Sequence, residues 1–403
     1  MKYHQLYCKL PGVWISRDLV AFLQSTAKQR PAILLTGSRQ AGKTSLLEHT
    51  FPDYGYVSLD LPALAEEADN SGEQFLARHP APVIIDEVQY APRLFRYLKN
   101  TIDRNRRAKG RYLLTGSQKF QLMQGISESL AGRVSITELH SLSLHEIEAF
   151  VRKPLDRNQI VDWMWKGGYP ELVAENLPPR RFYSDYVATY LERDVRQALQ
   201  VRNLRDFDRF LRLCALRTGQ ILSMNSLASE TGVATNTIKS WLAVLEASGI
   251  VFLLPPYFRN LGKRLVKAPK LYFLDTGLAC FLAGFDSPQA LAGSGYLGAM
   301  FETLVLGQIV RRSANRGETP TVCFYRDHHG NEVDFVLPIG EKVRLIECKW
   351  SETPEPQTRG FREIESLVGP RDVLGKTIVT PNRGRRITDG TSIDDCVDLA
   401  SLD

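Results

Sequence analysis

Pro31-Ala-Ile-Leu-Leu-Thr36 runs without a break into Gly37-Ser-Arg-Gln-Ala-Gly42-Lys43-Thr44, and Ser45-Leu46-Leu47-Glu48 follows. The first stretch reads as a short buried strand, the second as a glycine-rich loop, and the third as the start of a helix. This order is what phosphate binding requires. Glycines let backbone N–H groups turn inward on an anion, and the helix N-terminus adds the positive end of its dipole. The expected cradle is Gly37, Ser38, Arg39, Gln40, Ala41 and Gly42, with Lys43, Thr44 and Ser45 opening the helix. Lys43 would reach the β- and γ-phosphates of ATP, and Thr44 would offer its hydroxyl to Mg2+.

Two further strands deliver polar groups. Pro82-Val-Ile-Ile85 ends in Asp86-Glu87, and an apolar run in a parallel sheet has little structural reason to end in two carboxylates. Asp86 is expected to hold the metal through water. Glu87 is expected to polarise the water that attacks the γ-phosphate. Arg111-Tyr-Leu-Leu-Thr115 opens into Gly116-Ser117-Gln118. Ligands of open parallel sheets bind at the carboxyl ends of strands, where all three groups fall.

With these three motifs on one sheet, the sequence resembles the AAA+ ATPases, in the bacterial and archaeal branch whose ATPase module precedes a DUF4143 domain. The resemblance implies that Ser117, with Gln118, is a sensor orienting water or the γ-phosphate. It also implies a role for Arg133 in Ser129-Leu-Ala-Gly-Arg133, either as a finger on a neighbouring subunit or as a sensor in its own; an ordinary surface arginine is the alternative. Leu142-Ser-Leu-His-Glu146, Gly167-Gly-Tyr-Pro-Glu171 and Tyr190-Leu-Glu-Arg-Asp-Val195 fit the same family and imply a helical lid. There Arg193 and Asp194 read as a nucleotide sensor or as a solvated charge pair. Family members form rings or smaller oligomers with ATP at the interfaces, so a homo-oligomer is expected.

Beyond the lid, Ser226-Leu-Ala-Ser-Glu-Thr-Gly-Val-Ala-Thr235 and Asn236-Thr-Ile-Lys-Ser-Trp-Leu-Ala-Val-Leu245 read as helix, turn, helix. Ile238, Trp241, Leu242 and Leu245 share one face. Gly232 suits the turn and Thr235 the N-cap. Asn236, Thr237, Lys239 and Ser240 form an exposed start able to contact bases or phosphates. Between β-rich runs at 250–258 and 270–274, Arg259, Lys263, Arg264 and Lys267 stand without an acid. That loop reads as the basic wing of a winged helix or as a solvated loop.

The C-terminal part reads as a helix over 298–312 carrying Glu302, then two strands, Glu332-Val-Asp334-Phe-Val-Leu337 and Val343-Arg-Leu-Ile-Glu347-Cys-Lys349. Period two puts Glu347 and Lys349 on one face. A four-residue hairpin loop from Ile339 to Lys342 sets Asp334 opposite Glu347; a five-residue loop turns them apart. In the first register Glu302, Asp334 and Glu347 are expected to hold Mg2+, with Lys349 orienting water. The set resembles the PD-(D/E)xK nucleases, which implies a restriction-endonuclease-like domain, cutting or inactive.

The bulk numbers agree with such an assembly. The 403 residues exceed a single core's usual reach, and 43% hydrophobic with 24% charged residues is an ordinary globular composition. The expected division is 1–140 ATPase core, 141–204 lid, 205–284 winged helix and 285–403 nuclease-like domain, α/β overall. The net charge of +6 suggests a polyanionic partner, duplex or branched DNA. The cysteines Cys8, Cys214, Cys280, Cys323, Cys348 and Cys396 are scattered, so neither zinc nor disulfides are expected. The N-terminal residues lack the apolar run of a signal peptide, which suggests a cytoplasmic protein without membrane association. Three readings remain open: an ATP-driven protein acting on DNA, a regulatory switch that binds ATP and holds protein partners, and a DNA-remodelling motor whose nuclease-like domain only grips the duplex.

Overall fold

The computed structural model describes residues 14–116, 130–191, 204–257, 268–399 and 402. Five short strands, β1 (Ala32–Thr36), β2 (Gly55–Ser58), β3 (Val83–Asp86), β4 (Tyr112–Thr115) and β5 (Val134–Glu138), form a parallel sheet in the order β2-β3-β4-β1-β5. Its central strands are apolar at consecutive positions because both faces are covered. Ala32 and Leu34 of β1 pack with Val83, Ile85, Tyr112 and Leu114 on one face. Ile33 and Leu35 pack with Ile84, Leu113 and Leu46 on the other. The alternation divides one apolar run between two cores. It leaves the carboxyl ends of β1, β3 and β4 side by side.

The segment past β5 is helical, with helices Leu144–Val151, Arg157–Lys166, Pro170–Ala174 and Pro179–Tyr186. The first has a complete capping box. The Ser143 hydroxyl accepts the Glu146 N–H, and the Glu146 carboxylate accepts the Ser143 N–H at 2.8 Å.

Helices Met224–Thr231 and Thr235–Ala247 meet at Gly232, whose φ of +75° closes the first helix in a left-handed cap that favours glycine. Ile238, Trp241, Leu242 and Leu245 are all buried. The N-cap differs from the expectation. Ala234 occupies that position and offers no side-chain cap, and the Thr235 hydroxyl turns to Asn225 at 3.4 Å. Strands β6 (Gln220–Ile221), β7 (Val251–Leu254) and β8 (Lys270–Phe273) flank this pair as an antiparallel sheet in the order β6-β8-β7. The basic loop with Arg259, Lys263, Arg264 and Lys267 lies outside the described residues.

The C-terminal sheet is mixed. β9 (Cys323–Arg326), β10 (Glu332–Ile339), β11 (Lys342–Cys348), β12 (Val373–Thr380), β13 (Arg386–Thr388) and β14 (Thr391–Asp395) lie in the order β13-β14-β12-β11-β10-β9. The helix Leu297–Asn315 supplies Phe301, Leu304 and Val305 to a core containing Phe335, Ile346 and Val379. The helix Arg359–Val368 covers Val333, Val336 and Leu345 with Phe361 and Ile364. The first of these cores extends without a gap from Leu142 through the paired helices to the C-terminal sheet, across positions 204 and 284. The backbone is continuous there too. The Tyr257 N–H donates to the Phe324 carbonyl at 2.7 Å, extending the exit of β7 along β9. Among the described residues no helix is long and apolar enough to cross a membrane.

Candidate functional site

The cradle after β1 requires its glycines. Gly37 has φ +133°, and a Cβ there would stand 2.0 Å from the Leu139 carbonyl oxygen, so a side chain has no room. Gly42, at φ +89°, turns the chain into the helix Lys43–Thr50. Lys43 is buried, and its ammonium donates to the Gly37 and Ser38 carbonyls at 3.1 and 2.9 Å. The ammonium thus lies against the loop that phosphates would occupy. Ser38 and Ala41 are buried, Arg39 and Gln40 half-buried, and Ser45 exposed.

Asp86 is only 5% exposed. It accepts hydrogen bonds from Thr44 Oγ1 at 2.8 Å, from the Tyr56 hydroxyl at 3.1 Å and from the Thr115 hydroxyl. Among the described residues these partners are all hydroxyls. A nearly buried carboxylate beside a threonine hydroxyl, with no protein cation on it, is a hard oxygen donor set of the kind Mg2+ takes. The residues therefore fit the metal. Glu87 follows in a left-handed conformation, φ +53°. Its N–H donates to Thr115 Oγ1 at 3.2 Å, and its carboxylate accepts from the Gln89 amide.

The cradle is clasped from outside. Buried Arg17 donates to the Ala41 carbonyl at 2.9 Å, the His140 carbonyl at 2.7 Å and Glu146 at 3.0 Å. Asp275, just past β8, accepts from Ser141 Oγ, the Gly168 N–H, the Tyr183 hydroxyl and the Leu278 N–H at 2.8 to 3.1 Å. Arg311 of the helix Leu297–Asn315 donates to the Ser141 and Leu274 carbonyls at 2.8 and 2.7 Å. These bonds hold the Gly167–Glu171 turn against the loop, where Pro170 faces Gly42, Tyr169 bonds Ser38 and Gln40 reaches Glu171. The residues Arg17, Tyr56, Gln89, Thr115 and Asp275 were not read as site residues from sequence. Gln89 and Thr115 adjoin motifs that were; Arg17 and Asp275 come from distant segments with no local signal.

Arg133 makes a two-pronged pair with Asp103, Nε to Oδ1 and Nη2 to Oδ2 both at 2.8 Å. The guanidinium holds the Asp103 carboxyl well below the usual carboxylate range. Arg133, read from sequence as a finger, a sensor or a surface arginine, is thus paired within its own chain. Ser117, Gln118, Arg193 and Asp194 lie outside the described residues.

In the C-terminal domain the β10–β11 ladder runs from Ile339–Lys342 to Phe335–Ile346, the register that leaves Asp334 across from Glu347. Against β9, β10 shifts register between Val333 and Val336, and Asp334 and Phe335 fall in that irregularity. Such a bulge re-aims side chains. Asp334 accepts the Cys348 N–H at 2.7 Å, and Glu347 accepts the Lys349 ammonium at 2.8 Å. Burial, followed by the charges of Glu302 and Glu347, pushes the Asp334 carboxyl well above the usual range. Burial also raises Glu347, against the pull of Lys349.

Glu302, Asp334 and Glu347, the expected metal acids, come near enough that the charges of Glu302 and Glu347 act on Asp334. Glu302 accepts from Lys270 at 3.0 Å and from the Tyr272 hydroxyl. Among the described residues no three His, Cys, Asp or Glu side chains stand in an arrangement that could hold a metal ion. The ammonium on Glu302 comes from Lys270, a lysine 3% exposed on a strand buried at every position. Sequence reading took that strand as a plain β-run.

Three family models match the chain. Residues 29–148 match an AAA domain, residues 157–289 a domain of unknown function (DUF8612), and residues 297–398 a domain of unknown function (DUF4143). Two mycobacterial proteins, uncharacterized protein Mb2031c of Mycobacterium bovis and uncharacterized protein Rv2008c of Mycobacterium tuberculosis, are each 32% identical over 380 residues. The match spans 92% of this chain and 80% of theirs. The chain belongs to their family. Among solved structures, the Walker-type ATPase paby2304 of Pyrococcus abyssi is similar at a TM-score of 0.45 and 17% identity, over 66% of this chain and 94% of that one. The AAA-domain match takes in the whole parallel sheet, from before β1 to past β5. This part of the chain is a P-loop ATPase fold, and the mixed sheet is a separate C-terminal DUF4143 domain.

Proposed function

We propose that the chain is a Mg2+-dependent ATPase that couples nucleotide turnover to duplex or branched DNA, with Thr44 and Asp86 holding the metal and Glu87 polarising water. The observation that carries this reading is the carboxylate of Asp86, buried beside Thr44 and met only by hydroxyls among the described residues. When bound, the metal would neutralise charge on the transferring phosphate. Lys43 would leave the Gly37 and Ser38 carbonyls for the phosphates. Gln89 would hold Glu87 until nucleotide arrives.

DNA is the favoured partner because the start of the helix Thr235–Ala247 exposes Asn236, Lys239 and Ser240 beside half-buried Thr237, as in a winged helix reading a groove. Asp275 and Arg311 tie the cradle's clasp to the segments on either side of that module. Oligomer formation would bring Arg133 to a neighbour's ATP once its pair with Asp103 opens. The switch reading, in which the outer domains hold protein partners, draws support from the lysine that occupies the C-terminal acids.

The test is ATP turnover by the unaltered chain and by Lys43→Ala, with and without duplex and branched DNA at low and moderate salt. A Lys43-dependent rate that DNA raises supports DNA coupling. A Lys43-dependent rate indifferent to DNA moves the reading to the switch, and turnover that survives Lys43→Ala removes the site.

A further inference from the structure

A metal-dependent nuclease site needs several carboxylate oxygens free to converge on one divalent cation. In the C-terminal cluster three of the four acids are already paired with protein cations, and the fourth, Asp334, accepts the Cys348 N–H. Lys270 extends from β8, outside the C-terminal sheet, and its ammonium contacts Glu302 Oε1 at 3.0 Å and a Glu332 carboxylate oxygen. The charge of Asp334 also acts on it. Tyr272, two residues along the same strand and so on the same face, donates its hydroxyl to Glu302 as well. Arg326 stands 3.5 Å from the second oxygen of Glu332, and Lys349 takes Glu347 Oε1.

Three of the acids are neutralised without a metal: Glu302, Glu332 and Glu347 face Lys270, Arg326 and Lys349 in ion pairs. Among the described residues Glu347 Oε2 is the one carboxylate oxygen of these four acids that is buried without a hydrogen-bond partner. A divalent ion entering would meet an ammonium on the acid that the nuclease pattern assigns to it, and like charges at that distance oppose binding.

We infer that Lys270 is the resident cation of this cluster. It supplies the positive charge that a divalent metal supplies in a cutting nuclease, so the intact chain takes no metal at Asp334. The cluster acts as an ionic tie between β8 of the helix-turn-helix module and the C-terminal sheet. Nothing in this inference depends on the nucleotide site, and its test uses no nucleotide.

The probe is Mn2+, titrated into the full chain without nucleotide and followed by the electron paramagnetic resonance of the free ion. The unaltered chain and Asp334→Asn are expected to bind the same amount. Lys270→Met is expected to gain one site, at least tenfold tighter than any in the unaltered chain, and Lys270→Met with Asp334→Asn to lose it. The inference is overturned if Asp334→Asn removes a site that the unaltered chain has, or if a folded Lys270→Met, checked by circular dichroism, gains none. Should Lys270→Met fail to fold, the comparison of the unaltered chain with Asp334→Asn decides alone.

Discussion

Two buried acidic sites sit in this chain, and they are neutralised in opposite ways. At the carboxyl edge of the parallel sheet Asp86 is held by Thr44, Tyr56 and Thr115, all hydroxyl donors. At the bulge of the mixed sheet, Glu302 and Glu332 share Lys270, and Glu347 pairs with Lys349. Hydroxyls orient a carboxylate without cancelling its charge, so the first site keeps an attraction for a cation. Ammonium groups cancel it, so the second does not. An acid-rich motif therefore does not announce a metal site by itself; what decides is whether the fold brings a lysine to it. On the proposals above, the same residue types give a site for a cation in one domain and a tie between domains in the other.

The contrast breaks most sharply at Asp86. Asp86→Asn keeps a side-chain oxygen that the hydroxyls can reach but removes the charge. Mg2+-dependent ATP turnover is expected to fall about a hundredfold or more, while the melting temperature stays level or rises, because an uncompensated buried charge has gone. Turnover and thermal melting on the same preparation check both halves. A large loss of stability would mean that Asp86 is structural, and the two sites would then be alike.

At the other site the order of effects is reversed. Lys270→Met leaves Glu302 and Glu332 without their buried partner, and stability is expected to drop by about 3–5 kcal/mol in urea unfolding. Adding Glu302→Gln to Lys270→Met should recover part of that loss, since the strain lies in the orphaned charge. If Lys270→Met costs less than about 1 kcal/mol, the ammonium is not the tie that the geometry suggests.

How much of this contrast was legible in the sequence follows from where each partner lies in the chain. The cradle was readable because strand, loop and helix are contiguous from Pro31 to Glu48, and Asp86-Glu87 end an apolar run that marks a strand by itself. The hairpin from Glu332 to Cys348 was readable for the same reason, and its two-residue turn at Gly340-Glu341 selects the first of the two registers left open. Lys270 could not be found this way. It lies 32 positions before Glu302 and 62 before Glu332, and only the packing of β8 against the helix Leu297–Asn315 brings them together. Arg17 is likewise 129 positions from Glu146, and Asp275 is 107 from Gly168. The bulge that places Asp334 and Phe335 side by side on β10 is a two-strand property, invisible to a period-two count on one strand. Local order gave the motifs, and distant pairing decided what each motif holds.

The smallest expected effect tests the charge state at the second site. Burial first, then Glu302 and Glu347, raise the Asp334 carboxyl, while Lys270 and the Cys348 N–H pull the other way without prevailing. The folded chain therefore holds that proton more tightly than the unfolded chain does. Above the ordinary aspartate value near 4, the unfolded state releases the proton first, so the stabilisation present at low pH is lost as pH rises through the folded value. Asp334→Asn has no proton to lose. Urea unfolding of both chains across about pH 4.5 to 8 should show the unaltered chain losing stability relative to the variant, by at most about 1.4 kcal/mol per pH unit. Glu347, raised by burial in the same direction, interacts with Asp334, so the difference between the chains reads the titration of the pair. A difference that stays flat would mean that Asp334 is ionised throughout, and four carboxylates would then face three cations. The site would carry an unmatched negative charge, and a metal would again have a place to bind.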